Sequence, residues 1–411
     1  MPKPFTPNSA EQVREILEWA NAENKTLNVQ GRGSKDMLGR SVACDYTLDL
    51  SQLKGIEDYA PNELVLTAKA ATPLRDIEQA LAEKGQVLNF EPPDFGPLLG
   101  RAPDEGTLGG LIACNFAGSR RVKTGSARDH FLGFHAVGGR GEVFKSGGKV
   151  VKNVTGFDLS KLIAGSYGTL AVMTELTCKV MPRPEKIRTV LVRWATNGIY
   201  DHGGISSMTD ALTSAHEVSG AAFIPAKVTE FSKVDYVHSV GGSVTAIRVE
   251  GPGPSVEHRA EDLKKTLKVY GDIEELHTTN SLAFWKEVRD VSFLAAEQDR
   301  AIWRLSVPPA SGSHVALSIL EGHPGEVIYD WGGGLVWLAV DQKDDACATG
   351  IRAIVNEAGG HATLFRAPAK LRQTVPVFHP QTDGLANITK RLKEGFDPGG
   401  VLNPGRMYDG V

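Results

Sequence analysis

The chain has 411 residues, with 45 Lys and Arg against 49 Asp and Glu (a formal charge of −4), and is 41% hydrophobic and 23% charged. At roughly 150 residues per domain this predicts two or three folded domains and excludes a disordered chain, a collagen or a coiled coil. The acidic balance excludes a global basic field for nucleic acid, and no run approaches the roughly 20 apolar residues of a membrane helix.

Taken in chain order, Ser9–Asn24 carries Val13, Ile16, Leu17 and Ala20 at helical spacing, with Ser9 as cap and Gln12 three residues on. Thr26–Gln30 reads as a short strand ending in the turn Gly31-Arg32-Gly33-Ser34, and Tyr46–Leu50 and Leu64–Ala70 read as strands. A helix is predicted from Thr72-Pro73 to Lys84, with Thr72 as cap, Pro73 at the first position and Gly85 as the stop. Phe134–Val137, Gly141–Phe144 and Leu170–Val180 are further strands. The prolines of Met181-Pro182-Arg183-Pro184 mark a boundary. Beyond it lie strands at Arg188–Trp194, Ala221–Pro225 and Val244–Glu250, with helices at Ile205–His216 and Ser255–Tyr270. A second round follows: strands Ala301–Val307, Val327–Tyr329, Gly334–Val340 and His361–Arg366, helices Ser313–Leu320 and Asp344–Glu357. Two βαββαβ-like rounds predict an antiparallel sheet with helices on one face, hence an α+β fold class. The tail, from Asp383, is a short helix and then the loop Phe396–Tyr408.

Glycine is unevenly spread. Gly100–Leu170 holds 15 glycines in 71 residues, about three times the average share of roughly 7%. Within it, Gly118–Lys161 carries nine Lys and Arg against three Asp and Glu. A basic, glycine-rich, loop-heavy stretch points to a bound anion such as a phosphate, or else to a surface loop region. Gly31-Arg32-Gly33-Ser34-Lys35 is one such loop: successive amides around glycine form a concave nest, aided by Ser34 and Lys35. It is neither a P-loop nor a GxGxxG dinucleotide turn. Gly106-Thr107-Leu108-Gly109-Gly110-Leu111-Ile112-Ala113 is a second, in which the glycines let main chain lie against a flat or phosphate-bearing ligand. Four cysteines (Cys44, Cys114, Cys178, Cys347) form no CxxC, which fits a reducing compartment and excludes an iron–sulfur cluster held by closely spaced cysteines. The N-terminal MPKPFTPNSAEQ has no apolar h-region, so the chain reads as cytoplasmic.

Three ordered motifs then point to one family. Thr155-Gly156-Phe157-Asp158-Leu159, continued by Gly165-Ser166-Tyr167-Gly168-Thr169-Leu170, together with Gly106–Ala113 and Phe396–Tyr408 (FDPGGVLNPGRMY), resembles the vanillyl-alcohol oxidase or PCMH-type FAD-binding family. KNVTGFDLSKL, WRLSVP and WGGGLVWLAV narrow the resemblance to the FAD-binding subunit of the bacterial glycolate oxidase complex, over essentially the whole chain. The resemblance implies a two-lobed FAD-binding domain over residues 1–181, an α+β, ferredoxin-like cap over 182–369 and a C-terminal segment, 370–411, that returns to the flavin. It puts the pyrophosphate turn on Gly31, Arg32, Gly33, Ser34 and Lys35, and the second FAD loop on Gly106, Thr107, Gly109, Gly110 and Ala113, with Gly118, Gly125 and Ser126 beyond. Adenine-side contacts fall near Gly168 and Val172, and Asn403 approaches the flavin ring. No histidine stands in Arg32–Lys35, so the FAD is expected to be non-covalent.

Related 2-hydroxy-acid dehydrogenases carry a metal-binding string of the type GHxGDGNLH. Aligned on Leu335, its two histidines fall on Tyr329 and Val336, which are not metal ligands, so no metal is expected. A 2-hydroxy-acid oxidant needs a cation for the carboxylate and a base for the hydroxyl. Arg304 is the candidate for the carboxylate, His379 and Arg366 stand behind it, and no residue presents itself as a convincing base. The resemblance implies a subunit that oxidises glycolate to glyoxylate with a second flavin subunit bearing the metal motif and an iron–sulfur subunit, through which it reaches the inner membrane. The alternatives are a non-catalytic FAD-holding assembly subunit and a stand-alone FAD oxidase of a hydroxy acid or sugar.

Overall fold

The computed structural model describes residues 3–149, 156–194, 202–342 and 345–411. The Lys152–Thr155 part of the predicted TGFDL motif and residue 344 at the predicted start of a helix lie outside them. The first helix, Ala10–Ala22, is capped by Ser9, whose side chain accepts from the Gln12 amide, and it buries Val13, Leu17 and Ala20 as the spacing predicts. Gln12 closes the turn on the Asn8 amide rather than on Ser9. Its apolar face covers β1 (Leu27–Gln30) and β2 (Tyr46–Asp49), a parallel pair. A five-stranded antiparallel sheet follows, built from β3 (Ile56–Ala60), β4 (Val65–Lys69), β6 (Phe131–Gly138), β7 (Val143–Gly147) and β8 (Ala171–Lys179) in the order β3-β4-β8-β6-β7; the short β5 (Gln86–Val87) pairs with β9 (Met181–Pro182) outside it. The helix predicted from Thr72 spans Leu74–Ala82, and Pro73 stands at its cap position. Thr72 does not cap it, because its hydroxyl donates to the Lys69 and Gly55 carbonyls instead.

The second half is one antiparallel sheet of eight strands: β10 (Lys186–Trp194), β11 (Gly220–Ile224), β12 (Ser243–Gly251), β13 (Asp272–Leu276), β14 (Arg300–Ser306), β15 (Gly325–Asp330), β16 (Leu335–Asp341) and β17 (His361–Arg366), in the order β13-β10-β12-β11-β15-β16-β14-β17. The strand β13 and the helix Thr278–Asp290 have no counterpart in the sequence prediction. Strand alternation decides what each face meets. Val190, Val192, Phe223, Trp303, Leu305, Val336 and Leu338 pack under four helices, whereas Leu191, Ala222, Ile302, Leu335, Trp337 and Ala339 join the core of the N-terminal half. Both faces of this sheet are therefore covered, and the face that turns toward the N-terminal half carries Arg304. The last helix, Asp383–Phe396, leads the chain back to β1, where Leu27 donates to the Val401 carbonyl and the Asn403 amide to that of Leu27. Lys393 locks this return: its buried ammonium donates to the Thr169 and Leu402 carbonyls at 2.8 and 2.7 Å and to Asp397 at 2.6 Å.

Candidate functional site: a cleft with unpaired cations

A cleft of about 770 Å³ runs between the β1 loop, the helix Leu108–Cys114, β8 and the C-terminal return. At one end lies the turn after β1. Gly33 takes the left-handed φ of +73° that glycine tolerates best, and no carbonyl among the described residues receives the Arg32, Gly33, Ser34 or Lys35 amide. Four unengaged amides on a concave turn are a nest for an anion. Thr107 caps the facing helix and touches the turn so closely that a Cβ on Gly31 would lie 2.8 Å from its hydroxyl. One on Gly109 would lie 2.8 Å from the Ala70 carbonyl. Lys35 reaches in over Gly106 and Gly110, and its one hydrogen bond among the described residues is to Ser34 Oγ at 3.4 Å. Burial pulls that ammonium below its ordinary pKa, outweighing the more distant Cys114 and Asp94. Arg406 enters from the C-terminal loop, donating to the Lys35 carbonyl at 2.9 Å, and leaves its buried Nε without a partner.

At the other end Tyr167 forms part of the wall beside Cys114, Gly168 and Val172. Burial pushes the Cys114 thiol up to about 11, so it is a neutral thiol at pH 7. Beyond Tyr167 stands Arg304, with its guanidinium carbon 5.2 Å from the Trp331 ring and 5.9 Å from the Trp337 ring. No carboxylate or carbonyl accepts from it among the described residues. Burial lowers its pKa to about 10, which still leaves it charged at pH 7.

The seam between the two halves is wired differently. Arg248 donates both terminal nitrogens to Glu91, at 2.8 and 3.0 Å, and Arg120 grips Glu250 at 2.5 and 2.9 Å while its amide donates to Glu91 at 2.7 Å. Burial pushes both carboxyls up, but the two guanidiniums outweigh it and hold them below the usual range. Nearby, Ser119 donates to Asp330 at 2.7 Å and Trp331 Nε1 to the Gly118 carbonyl at 3.1 Å. Burial raises Asp330 to about 7 against the hydrogen bonds it accepts from Ser119 and the Trp331 amide.

Of the residues singled out from sequence, Gly31, Arg32, Gly33, Ser34, Lys35, Thr107, Gly109, Gly110, Ala113, Gly168 and Val172 line this cleft. Gly106 sits just behind Lys35. Gly118, Gly125 and Ser126 do not line it. Gly118 is a seam residue, where a Cβ would lie 2.8 Å from that of Glu91, and Ser126 with Asp129 caps the helix Ala127–His130 directly after Gly125. Asn403 does not turn its amide to the cleft either: it donates to the Tyr167 carbonyl at 2.9 Å and accepts from the Val29 amide at 2.8 Å, strapping β1 to the Tyr167 turn. His379 has both ring nitrogens committed, to the Ala362 amide and to Asn356, and Arg366 spends its guanidinium on the Leu98, Arg300 and Glu297 carbonyls. Neither is free for a substrate. Tyr329 and Val336 are a cross-strand pair buried on the helix side, so the hairpin residues facing the N-terminal half are Asp330, Leu335 and Trp337. Among the described residues no group of three or more His, Cys, Asp or Glu is placed to hold a metal ion. Tyr167, Cys114 and Arg406 are cleft residues that the sequence did not single out, although Tyr167 and Arg406 lie within marked motifs and Cys114 directly follows one.

The cleft fits FAD. It pairs an anion nest and a lysine without an ion pair among the described residues with glycines whose Cβ positions are already occupied by neighbours. The FAD binding domain family matches residues 4–147. Over the whole chain, the Escherichia coli glycolate oxidase subunit GlcE is 35% identical, covering 97% of each protein. A D-lactate dehydrogenase of Archaeoglobus fulgidus is 31% identical, covering 98% of this chain and 90% of its own. Among solved structures, 4-ethylphenol oxidase from Gulosibacter chungangensis superposes with a TM-score of 0.70 at 13% identity, covering 98% of this chain and 88% of that one. An alkyldihydroxyacetonephosphate synthase does so at 0.67 and 18%, covering 97% and 75%; both show the shared α+β fold. This chain belongs to the PCMH-type family of FAD-dependent oxidoreductases that includes the glycolate oxidase subunit GlcE.

Proposed function

We propose that this chain is the FAD-holding subunit of a complex that oxidises glycolate to glyoxylate. The observation that carries the reading is a cleft with an anion nest and a buried lysine at one end, beside a sheet face that carries Arg304 with no hydrogen-bond acceptor among the described residues. The nest, Lys35 and Arg406 would hold the pyrophosphate side of FAD, and Arg304 would take the substrate carboxylate. Bound FAD supplies the two-electron acceptor for the substrate α-carbon. The protein's own part is to bind and orient: Arg304 fixes the carboxylate, the two indoles keep its guanidinium in place, and the covered sheet face excludes water. Among the described residues no histidine lines the cleft, which supports non-covalent FAD that acid precipitation releases intact. Whole-chain identity to GlcE supports work alongside other subunits, a second flavin subunit with the metal motif and an iron–sulfur subunit. No helix among the described residues is long and apolar enough to cross a membrane; cytoplasmic residence with membrane contact through those partners belongs to the same reading.

The test is anaerobic. The purified holoprotein is mixed with glycolate and, separately, D-lactate, and the oxidised-flavin absorbance is followed with and without partner subunits. Bleaching by glycolate in the chain alone places the oxidation here. Bleaching that needs the partners assigns this chain an electron-carrying or assembly role. A flavin that stays oxidised in both settings rejects the hydroxy-acid reading.

A further inference from the structure

We propose that the C-terminal return is a clasp on the phosphate end of the cleft, its docking opposed by like charge in the apoprotein and favoured by the phosphates of FAD. It rests on FAD in the cleft and takes nothing from the hydroxy-acid reading.

The first observation is a parallel pairing. Leu402 bridges Leu27 in parallel, Leu27 donates to the Val401 carbonyl at 2.8 Å, and the Asn403 amide donates to Leu27 at 3.0 Å. Parallel neighbours release their following turns at the same end, and the crevice outside the carboxyl ends of parallel strands is a recurrent ligand site. Here the anion turn Gly31–Lys35 leaves β1 and Pro404-Gly405-Arg406 leaves the return. Arg406 lines the cleft, so the phosphate end is complete only when the return is docked.

The second is how the return is held. The helix Asp383–Phe396 that leads into it buries only Lys393 and leaves Leu385 51% and Ile388 55% exposed, so it lends little packing. Across the contact, Arg406 donates to the Lys35 carbonyl at 2.9 Å and Val29 to the Asn403 side chain at 2.8 Å.

The third is charge. Docking carries Arg406, whose buried Nε has no partner, to the turn from which Lys35 enters the same cleft. Neither forms an ion pair with a carboxylate among the described residues. Like charges brought together away from water oppose docking, and a pyrophosphate between them reverses the sign. FAD affinity and docking are then coupled, each raising the other by the same factor.

Hydrogen exchange of the Leu27, Val29 and Asn403 amides, whose acceptors lie across the contact, reads docking, with β12 as the control. FAD, and inorganic pyrophosphate alone, should slow these amides by roughly 5–150-fold, the range of ordinary site coupling, and β12 far less. Lys35→Met is the decisive variant, because its side chain makes no hydrogen bond to the return and acts there through charge alone. Without FAD it should slow the three amides, and the further slowing by FAD should shrink in Lys35→Met and in Arg406→Met. Arg406→Lys keeps the charge and should keep that slowing. Amides that exchange in apo Lys35→Met as fast as in the wild type or faster, FAD that slows β12 as much as the return, or pyrophosphate without effect each overturns the clasp. Glycolate enters none of these readouts, so the clasp and the hydroxy-acid reading fail separately.

Discussion

The seam and the cleft lie side by side and use the same residue types to opposite ends. At the seam Arg120 and Arg248 meet Glu91 and Glu250 in a closed, four-membered set. In and beside the cleft Lys35, Arg304 and Arg406 form no ion pair with a carboxylate among the described residues and meet hydroxyl, amide, carbonyl and ring groups instead. A buried charge that is paired stabilises one arrangement of the fold when its partner stays, whereas a buried charge left open costs stability that a ligand restores. The difference separates residues that hold the halves together from residues that hold something else. It also says which substitutions should damage folding and which should damage binding.

The largest effect is expected at the seam. Arg248→Met removes both hydrogen bonds to Glu91 and leaves two buried carboxylates, Glu91 and Glu250, to share Arg120, an uncompensated buried charge costing about 3–5 kcal/mol of unfolding free energy in urea. Adding Glu91→Gln should recover much of that loss, because the stranded charge disappears with it. A double variant as unstable as the single one would show that the pair does not act as a unit.

In the cleft the sign should reverse. Lys35→Met removes an ammonium that burial already penalises. The apoprotein should keep or gain stability, while FAD binding weakens by about 1.5–3 kcal/mol, the worth of a hydrogen bond to a charged group, or roughly 10–100-fold in Kd. Fluorescence titration of the apoprotein with FAD reads the second number and thermal unfolding without FAD the first. An apoprotein that loses stability with unchanged FAD affinity would place Lys35 with the seam residues.

The contrast was only half visible in the amino-acid sequence. The turn Gly31–Lys35, the loop Gly106–Ala113 and the return around Asn403 could be read because glycine turns and short motifs are local chemistry. The seam could not, since Glu91 and Arg248 are 157 positions apart and Ser119 and Asp330 are 211. Face assignment was lost by one residue. Aligning the metal string on Leu335 selected Tyr329 and Val336, yet strand alternation turns both to the helices and presents Asp330 and Trp337 instead. Asp272–Leu276 escaped notice because an edge strand reading DIEEL shows neither an apolar run nor turn punctuation. Asn403 was found as a motif residue, but its strapping of Val29 to Tyr167 was not legible, because only the fold shows where its amide is spent.

Asp330 is the one seam carboxylate without a cation in its hydrogen bonds, and it gives the smallest and sharpest test. Its partners are the Ser119 hydroxyl and the Trp331 amide, and burial lifts its pKa to about 7 from an unfolded value near 3.9. A carboxyl raised on folding contributes stability that is complete below the unfolded pKa and is lost as pH rises through the folded one. Between pH 6 and 8 that loss amounts to about 1.4 kcal/mol, and Asp330→Asn, which keeps an acceptor for the amide and does not titrate, should escape it. The other titrating groups are shared by both proteins, including the histidines that burial holds below their ordinary pKa, among them His130 and His361. They cancel in the difference between variant and wild type. The Tm of Asp330→Asn minus that of the wild type should therefore rise from pH 6 to 8, by on the order of 2 °C for a chain of this length. A difference that stays flat means Asp330 is already ionised in the folded protein, so a cation must reach it, and the open one on its face of the sheet is Arg304, whose charge that carboxylate favours. That outcome would join the cleft to the seam through one ion pair and erase the distinction between them at this point.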